Sequence, residues 1–255
     1  MAHTFRSIVL DEVGSTNTEA FERARAGETG PLWVVARRQT QGRGRSGRRW
    51  ASVEGNLYAS LLRRLACSPG VVHQLSLVAG VAVVDAIAAV AGERGLPGLR
   101  LKWPNDVLIG GAKCAGILAE SQMGERSSEV TAVIGTGINL VSHPADLDRA
   151  ATDLATHGIE VTPEAMLSAL APRMQDWLNS WDGGSGFATV RAAWLARGGR
   201  EGENLSVNTG QERIAGTFVD LDADGALVMQ DGQGARRRVT FGDVTLASTA
   251  STGSE

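Results

Sequence analysis

The sequence predicts an α/β fold followed by a small all-β unit. Three observations carry this. Short β-type apolar runs recur along the first 140 residues and alternate with stretches of helical spacing, the pattern that builds a sheet covered by helices. From residue 204 onward the helical spacing disappears and short strands alternate with turn signals. At 255 residues, with 43% hydrophobic and 21% charged content, the chain can also bury one substantial core and carry an appendage. Boundaries follow at 1–200 for the α/β domain, 201–247 for the β unit and 248–255 for a disordered polar tail.

Residues 6–13 (RSIVLDEV) form the first candidate strand, and Gly14-Ser15-Thr16-Asn17 leads into a helix that closes at Gly27. Ser15, Thr16 and Asn17 suit N-capping; the same short polar side chains also suit hydrogen bonding to a small neutral ligand. A second strand starts at Val34 and runs into a loop. Val34 to Trp50 holds six arginines, three glycines and no acidic residue, in a chain of net charge −3. Arginine forks match phosphate and carboxylate oxygens, and glycines let the backbone approach an anion, so this is an anion-holding loop or a solvated Arg/Gly loop. Gly42, Gly44 and Gly47 match G-x-G-x-x-G, but no helix follows. Asn56–Leu62 reads as another strand, so the dinucleotide-binding context is missing.

A long helix follows Pro69 and runs to about Glu93. It contains the most apolar stretch, Val71–Ala91, interrupted by His73, Gln74 and Asp85, and reads as a core helix and not a membrane span. Next, Val107–Ile109, Gly110-Gly111 and Ala112–Glu120 have the pattern of a β-hairpin. Trp103-Pro104-Asn105-Asp106 has turn chemistry, and Lys102 before it places a cation beside a carboxamide and a carboxylate. That trio suits nucleotide phosphates with a divalent ion. Lys113 lies just past the hairpin turn, where a lysine is ordinarily solvated, and Gly116 lies further along the returning strand. Glu129–Leu140 is a strand ending in glycines, with Asn139 able to present an amide or close backbone packing as the alternative. Pro163–Trp181 and Phe187–Arg197 have helical spacing.

The β unit begins near Asn204. Its turn spacing fits a small SH3-like β-barrel, with Arg236, Arg237 and Arg238 as a basic patch or a charged edge strand.

Taken together, GSTN at 14–17, Gln39 with GRGRSGRRW at 42–50, NLYAS at 56–60, KWPNDV at 102–107, KCAGIL at 113–118, GTGINL at 135–140 and ATDL at 151–154 resemble the biotin protein ligase family in order and spacing. The resemblance covers about residues 7–247. It implies a mixed β-sheet with flanking helices, of the class II aminoacyl-tRNA synthetase and biotin ligase type. It also implies a two-step reaction in which ATP and Mg²⁺ convert biotin to biotinyl-5′-adenylate, and a lysine of a biotin carboxyl carrier domain, such as that of acetyl-CoA carboxylase, then takes the biotinyl group. Carried over by motif position, Ser15, Thr16, Asn17 and Gln39 hold the ureido ring. Gly42, Arg43, Gly44 and Arg45 close over the biotin tail and the phosphate, with Gly116 beside the tail. Lys113 bridges biotin carboxylate and α-phosphate, with Arg45 as the second catalytic cation. Trp50, Lys102, Asn105 and Asn139 face the nucleotide, and Asp106 is the expected Mg²⁺ ligand.

With only about a dozen residues before GSTN, the chain resembles the short, non-repressor class, so no operator binding is expected. Two isolated cysteines, Cys67 and Cys114, and a start without signal-peptide character fit the cytoplasm. A monomer or homodimer without nucleic-acid or membrane partners is expected. The competing readings are a lipoate-type acyl ligase with the same adenylation logic, and a nucleic-acid-binding module using the arginine loop and the basic patch.

Overall fold

The computed structural model describes residues 5–123, 129–145 and 150–246; the expected disordered tail lies outside the described residues. Seven strands form one sheet: β1 (Ser7–Val13), β2 (Leu32–Gln39), β3 (Leu57–Ala66), β4 (Arg100–Lys102), β5 (Asp106–Ile109), β6 (Ala112–Met123) and β7 (Glu129–Ile138). Their order is β1-β2-β3-β7-β6-β5-β4. β1 and β2 run parallel and the remaining pairs are antiparallel, so the sheet is mixed. A parallel pair needs a crossover, which α1 (Thr16–Arg25) supplies. Gly110 and Gly111, at φ of 58° and 89°, make the expected tight turn between β5 and β6.

Helix α1 covers one sheet face through Ala20 and Phe21, which pack on Leu32, Val34, Leu62 and Val133. The opposite face buries the main core under α2 (Leu75–Ala91), α3 (Pro163–Trp181) and α4 (Phe187–Arg197). The expected long helix after Pro69 is three pieces, because 3₁₀ turns at Pro69–Gln74 and Gly92–Arg94 flank α2. Helix α2 is apolar on most sides because most of it is buried within the protein. Of the three polar interruptions in this stretch, His73 Nε2 lies 2.8 Å from the Asp224 carbonyl, and the other two are partners for indoles. Gln74 accepts from Trp181 Nε1 at 2.7 Å, and Asp85 accepts from Trp177 Nε1 at 2.9 Å and Arg197 Nε at 2.8 Å.

The C-terminal unit is a five-stranded antiparallel sheet, β8 (Asn204–Asn208), β9 (Arg213–Leu221), β10 (Leu227–Asp231), β11 (Arg236–Val239) and β12 (Asp243–Leu246), in the order β11-β10-β9-β8-β12. It docks on the α/β domain through Trp103 Nε1 donating to the Gly225 carbonyl at 3.1 Å and an Arg100–Glu203 ion pair at 2.7 Å. The Arg236–Arg238 patch is largely neutralised: Arg237 pairs with Glu212 at 3.0 Å, and Arg238 pairs with both Asp222 and Asp224.

Candidate active site

A cavity of about 340 Å³ opens where the loop after β2, the β5–β6 hairpin, β7 and the edge of the C-terminal sheet meet. Its lining includes Ser15, Thr16, Asn17, Gln39, Arg43, Gly44, Arg45, Trp50, Lys102, Asn105, Asp106, Lys113 and Gly116. The sequence-predicted residues are therefore brought together, except Gly42 and Asn139, which lie outside the lining.

One end is neutral and already hydrogen-bonded. Strand β1 delivers Ser15, Thr16 and Asn17, all buried, to the start of α1. Ser15 makes no side-chain capping bond, so capping does not account for its hydroxyl. Gln39, at the end of β2, accepts from Thr16 N at 2.8 Å and Thr16 Oγ1 at 3.1 Å. Ser60 Oγ lies 2.7 Å from Thr16 Oγ1 and 2.6 Å from Asn17 Oδ1. The Asn17 carboxamide fills the space above Gly135, where a Cβ would come within 2.2 Å of Asn17 Oδ1.

The other end is cationic. Lys102 and Lys113 converge on the buried Asp106, with N–O distances of 2.8 and 2.5 Å. Burial pushes the Asp106 pKa up, but the two ammoniums outweigh it and hold the group at about 2. Asp106 does not fit the expected Mg²⁺ ligand: its two oxygens are engaged by cations that would repel a metal. Among the described residues no cluster of His, Cys, Asp or Glu has metal-binding geometry. Lys113 also lies over the Trp50 ring, 5.2 Å from its centroid. The indole rests on bare backbone, since a Cβ at Gly116 or Gly137 would approach it to 2.8 or 2.7 Å.

The arginine loop is folded. Gly44 N donates to Arg48 O at 2.7 Å and Trp50 N to Gly42 O at 2.9 Å, closing a narrow finger around a 3₁₀ turn at Arg45–Gly47. No α-helix opens here, in keeping with the missing dinucleotide context. Arg45 Nη1 donates to Asn105 Oδ1 and the Gly242 carbonyl, each at 3.3 Å, and its guanidinium lies 5.2 Å from the Phe241 ring centroid. Burial lowers the Arg45 pKa, opposed by Asp243 and Asp106. Arg48 pairs with Asp243, and Lys102 Nζ donates to the Val244 carbonyl at 3.2 Å. The C-terminal sheet thus supplies one wall.

Asn139 serves the framework: its Nδ2 donates to the Thr152 carbonyl at 2.9 Å, and Thr152 N donates to Lys113 O at 2.9 Å. Gly42 pairs with Trp50, and a Cβ there would meet the Trp50 carbonyl at 2.7 Å. Cys114 is fully buried, and burial, helped by Asp153, pushes its thiol up to about 12, which makes it inert. Sequence reasoning missed Ser60, Glu120, Gly135, Gly137, Arg48 and the Gly242–Val244 segment. Ser60 had a signal, a lone hydroxyl inside an apolar strand. Glu120 had one too, since alternation along β6 puts it on the face of Gly116.

A family model described as the biotin/lipoate A/B protein ligase family matches residues 9–139, and one described as the biotin protein ligase C terminal domain matches residues 202–246. The biotin–[acetyl-CoA-carboxylase] ligase of Paracoccus denitrificans is 38% identical over 232 residues, covering 89% of this chain and 95% of its own. That of Mycobacterium tuberculosis is 34% identical over 248 residues, covering 92% and 87%. The biotin protein ligase from Aquifex aeolicus in complex with biotin and ATP matches with a TM-score of 0.76 at 28% identity, covering 95% of this chain and 98% of that one. By these matches and a fold in common with them, the chain belongs to the biotin/lipoate A/B protein ligase family and, within it, to the biotin protein ligases.

Proposed function

We propose that this site joins biotin to ATP and then passes the biotinyl group to a lysine of a carrier domain, of which that of acetyl-CoA carboxylase is the first candidate. The observation that carries the reading is the pairing, in one cavity, of a neutral hydrogen-bonding end with a cluster of cations. A cyclic urea fits the first and a triphosphate the second.

In the first step a biotin carboxylate oxygen attacks the α-phosphorus of ATP. The bond from that phosphorus to the bridging oxygen breaks, and pyrophosphate leaves. Two anions must meet, so fixed cations are needed where charge accumulates. Lys113 would touch both the carboxylate and the α-phosphate, with Arg45 as the second cation. Lys102 and Asn105 would meet the nucleotide. Trp50 would stand between the biotin tail and the nucleotide base. Ser15, Thr16, Asn17 and Gln39 would hold the ureido ring. In the second step the amine of the carrier lysine attacks the acyl carbon, AMP leaves, and the amine loses a proton. The finger of residues 42–50 would shield the mixed anhydride from water until then.

No step is assigned to a protein-held metal, because Asp106 is engaged by two lysines. Incubation with biotin, ATP and Mg²⁺ should give biotinyl-adenylate by mass spectrometry. The same incubation with lipoate in place of biotin should not give an adenylate. Pyrophosphate release with lipoate and none with biotin would replace this reading with the lipoate one.

A further inference from the structure

We propose that Glu120 is a positioning residue that fixes the orientation of the Asn17 carboxamide, so that Asn17 Oδ1 joins Thr16 Oγ1 in making the neutral end of the cavity a receiver of ligand N–H groups. This rests on the reading of that end as the ureido site.

Asn17 is 3% exposed, so each of its polar atoms needs a partner. Its Nδ2 donates to the Leu118 carbonyl at 3.1 Å and to Glu120 Oε2 at 2.7 Å. A carbonyl and a carboxylate only accept. Flipping the amide would therefore aim Oδ1 at two acceptors, and the charged one makes that the costlier clash. With the amide locked, Oδ1 can only accept, and the Ser60 hydroxyl lies 2.6 Å away as a donor that it shares with Thr16 Oγ1. The Thr16 hydroxyl spends its one proton on Gln39 Oε1 at 3.1 Å, so Thr16 Oγ1, like Asn17 Oδ1, faces the Ser60 hydroxyl 2.7 Å away as an acceptor. Lone pairs of Thr16 Oγ1 and Asn17 Oδ1 are what this chain of bonds leaves for a ligand. Cyclic-urea nitrogens, each with one N–H, match that; a ring oxygen does not. The Arg43 guanidinium, 3.7 Å from the same Glu120 oxygen, links this anchor to the arginine loop.

The test compares biotin with a cyclic carbamate analogue in which one ring N–H is replaced by oxygen. Binding of each is measured by calorimetry to wild type, Glu120→Ala and Glu120→Gln, with thermal unfolding as a check on folding. Wild type should prefer biotin by about 30-fold or more, as sites built to pair a donor reject analogues lacking it. Glu120→Ala should cut that ratio to roughly threefold. Glu120→Gln should fall between, because its carbonyl can still take the Asn17 proton. Parallel weakening of both ligands with an unchanged ratio, or a wild type indifferent to the substitution, overturns the proposal. If Glu120→Ala does not fold, the ratio in Glu120→Gln decides. A wild type that binds neither ligand overturns the ureido reading itself and this inference with it, a result distinct from biotin binding with an unmoved ratio.

Discussion

The two ends of the cavity are held in different ways. At the neutral end Thr16, Asn17, Gln39 and Ser60 bond to one another, and they come from adjacent strands and the start of one helix. At the cationic end Lys102, Lys113, Arg45 and Arg48 rest on internal anions and carbonyls, namely Asp106, Asp243, Gly242 and Val244. The first network is complete before a ligand arrives and selects by matching donors to acceptors. The second keeps its charge on carboxylates and carbonyls that phosphate oxygens can replace. Recognition and chemistry are therefore separable, and substitutions should split accordingly.

The largest separation is expected at Lys113. Lys113→Ala should lower adenylate formation about 10²- to 10³-fold while leaving biotin affinity by calorimetry within about threefold; equal losses in both would show that the ends are not independent. Next, Arg45→Gly should release adenylate and raise labelling of bystander lysines on a streptavidin blot, with biotin binding retained. Labelling no higher than wild type would remove the shielding role of the finger. Thr16→Val tests the other side: the KM for biotin should rise roughly tenfold or more with kcat little changed.

The smallest effect concerns acid. Asp106 sits at about 2 against an ordinary 3.8, so the ionised group stabilises the fold above about pH 4, and that contribution fades as pH falls through 2. It amounts to roughly 2 kcal/mol. Asp106→Asn should be less stable than wild type at pH 5 by urea unfolding, and the gap should narrow by about that amount toward pH 2. A gap independent of pH would mean the two lysines do not set the pKa.

Local chemistry was readable from the sequence, and long-range pairing was not. Strand periodicity and the Gly110-Gly111 turn placed the hairpin, and the motif resemblance placed Lys113, Arg45 and the Ser15–Asn17 triplet in one site. Asp106 was misread as a metal ligand because sequence shows one lysine four residues away but not the second, which the hairpin folds back onto it. Asn139 was expected to face nucleotide, yet its amide is taken by a carbonyl thirteen residues later in the chain. The wall built by Gly242 and Asp243 lies 197 and 195 residues from the arginines it contacts, beyond any local pattern. The Arg236–Arg238 patch likewise looked basic because its acidic neighbours, Asp222, Asp224 and Glu212, precede it in the loops on either side of β9.

Gly116, Gly135 and Gly137 give the groove its outline by what they lack: a single methyl at any of them would collide with Trp50 or Asn17. Enlarging the cavity for bulkier vitamins is thus a matter of trimming the overhanging residues, while libraries randomised at these three floor positions would return mostly blocked proteins.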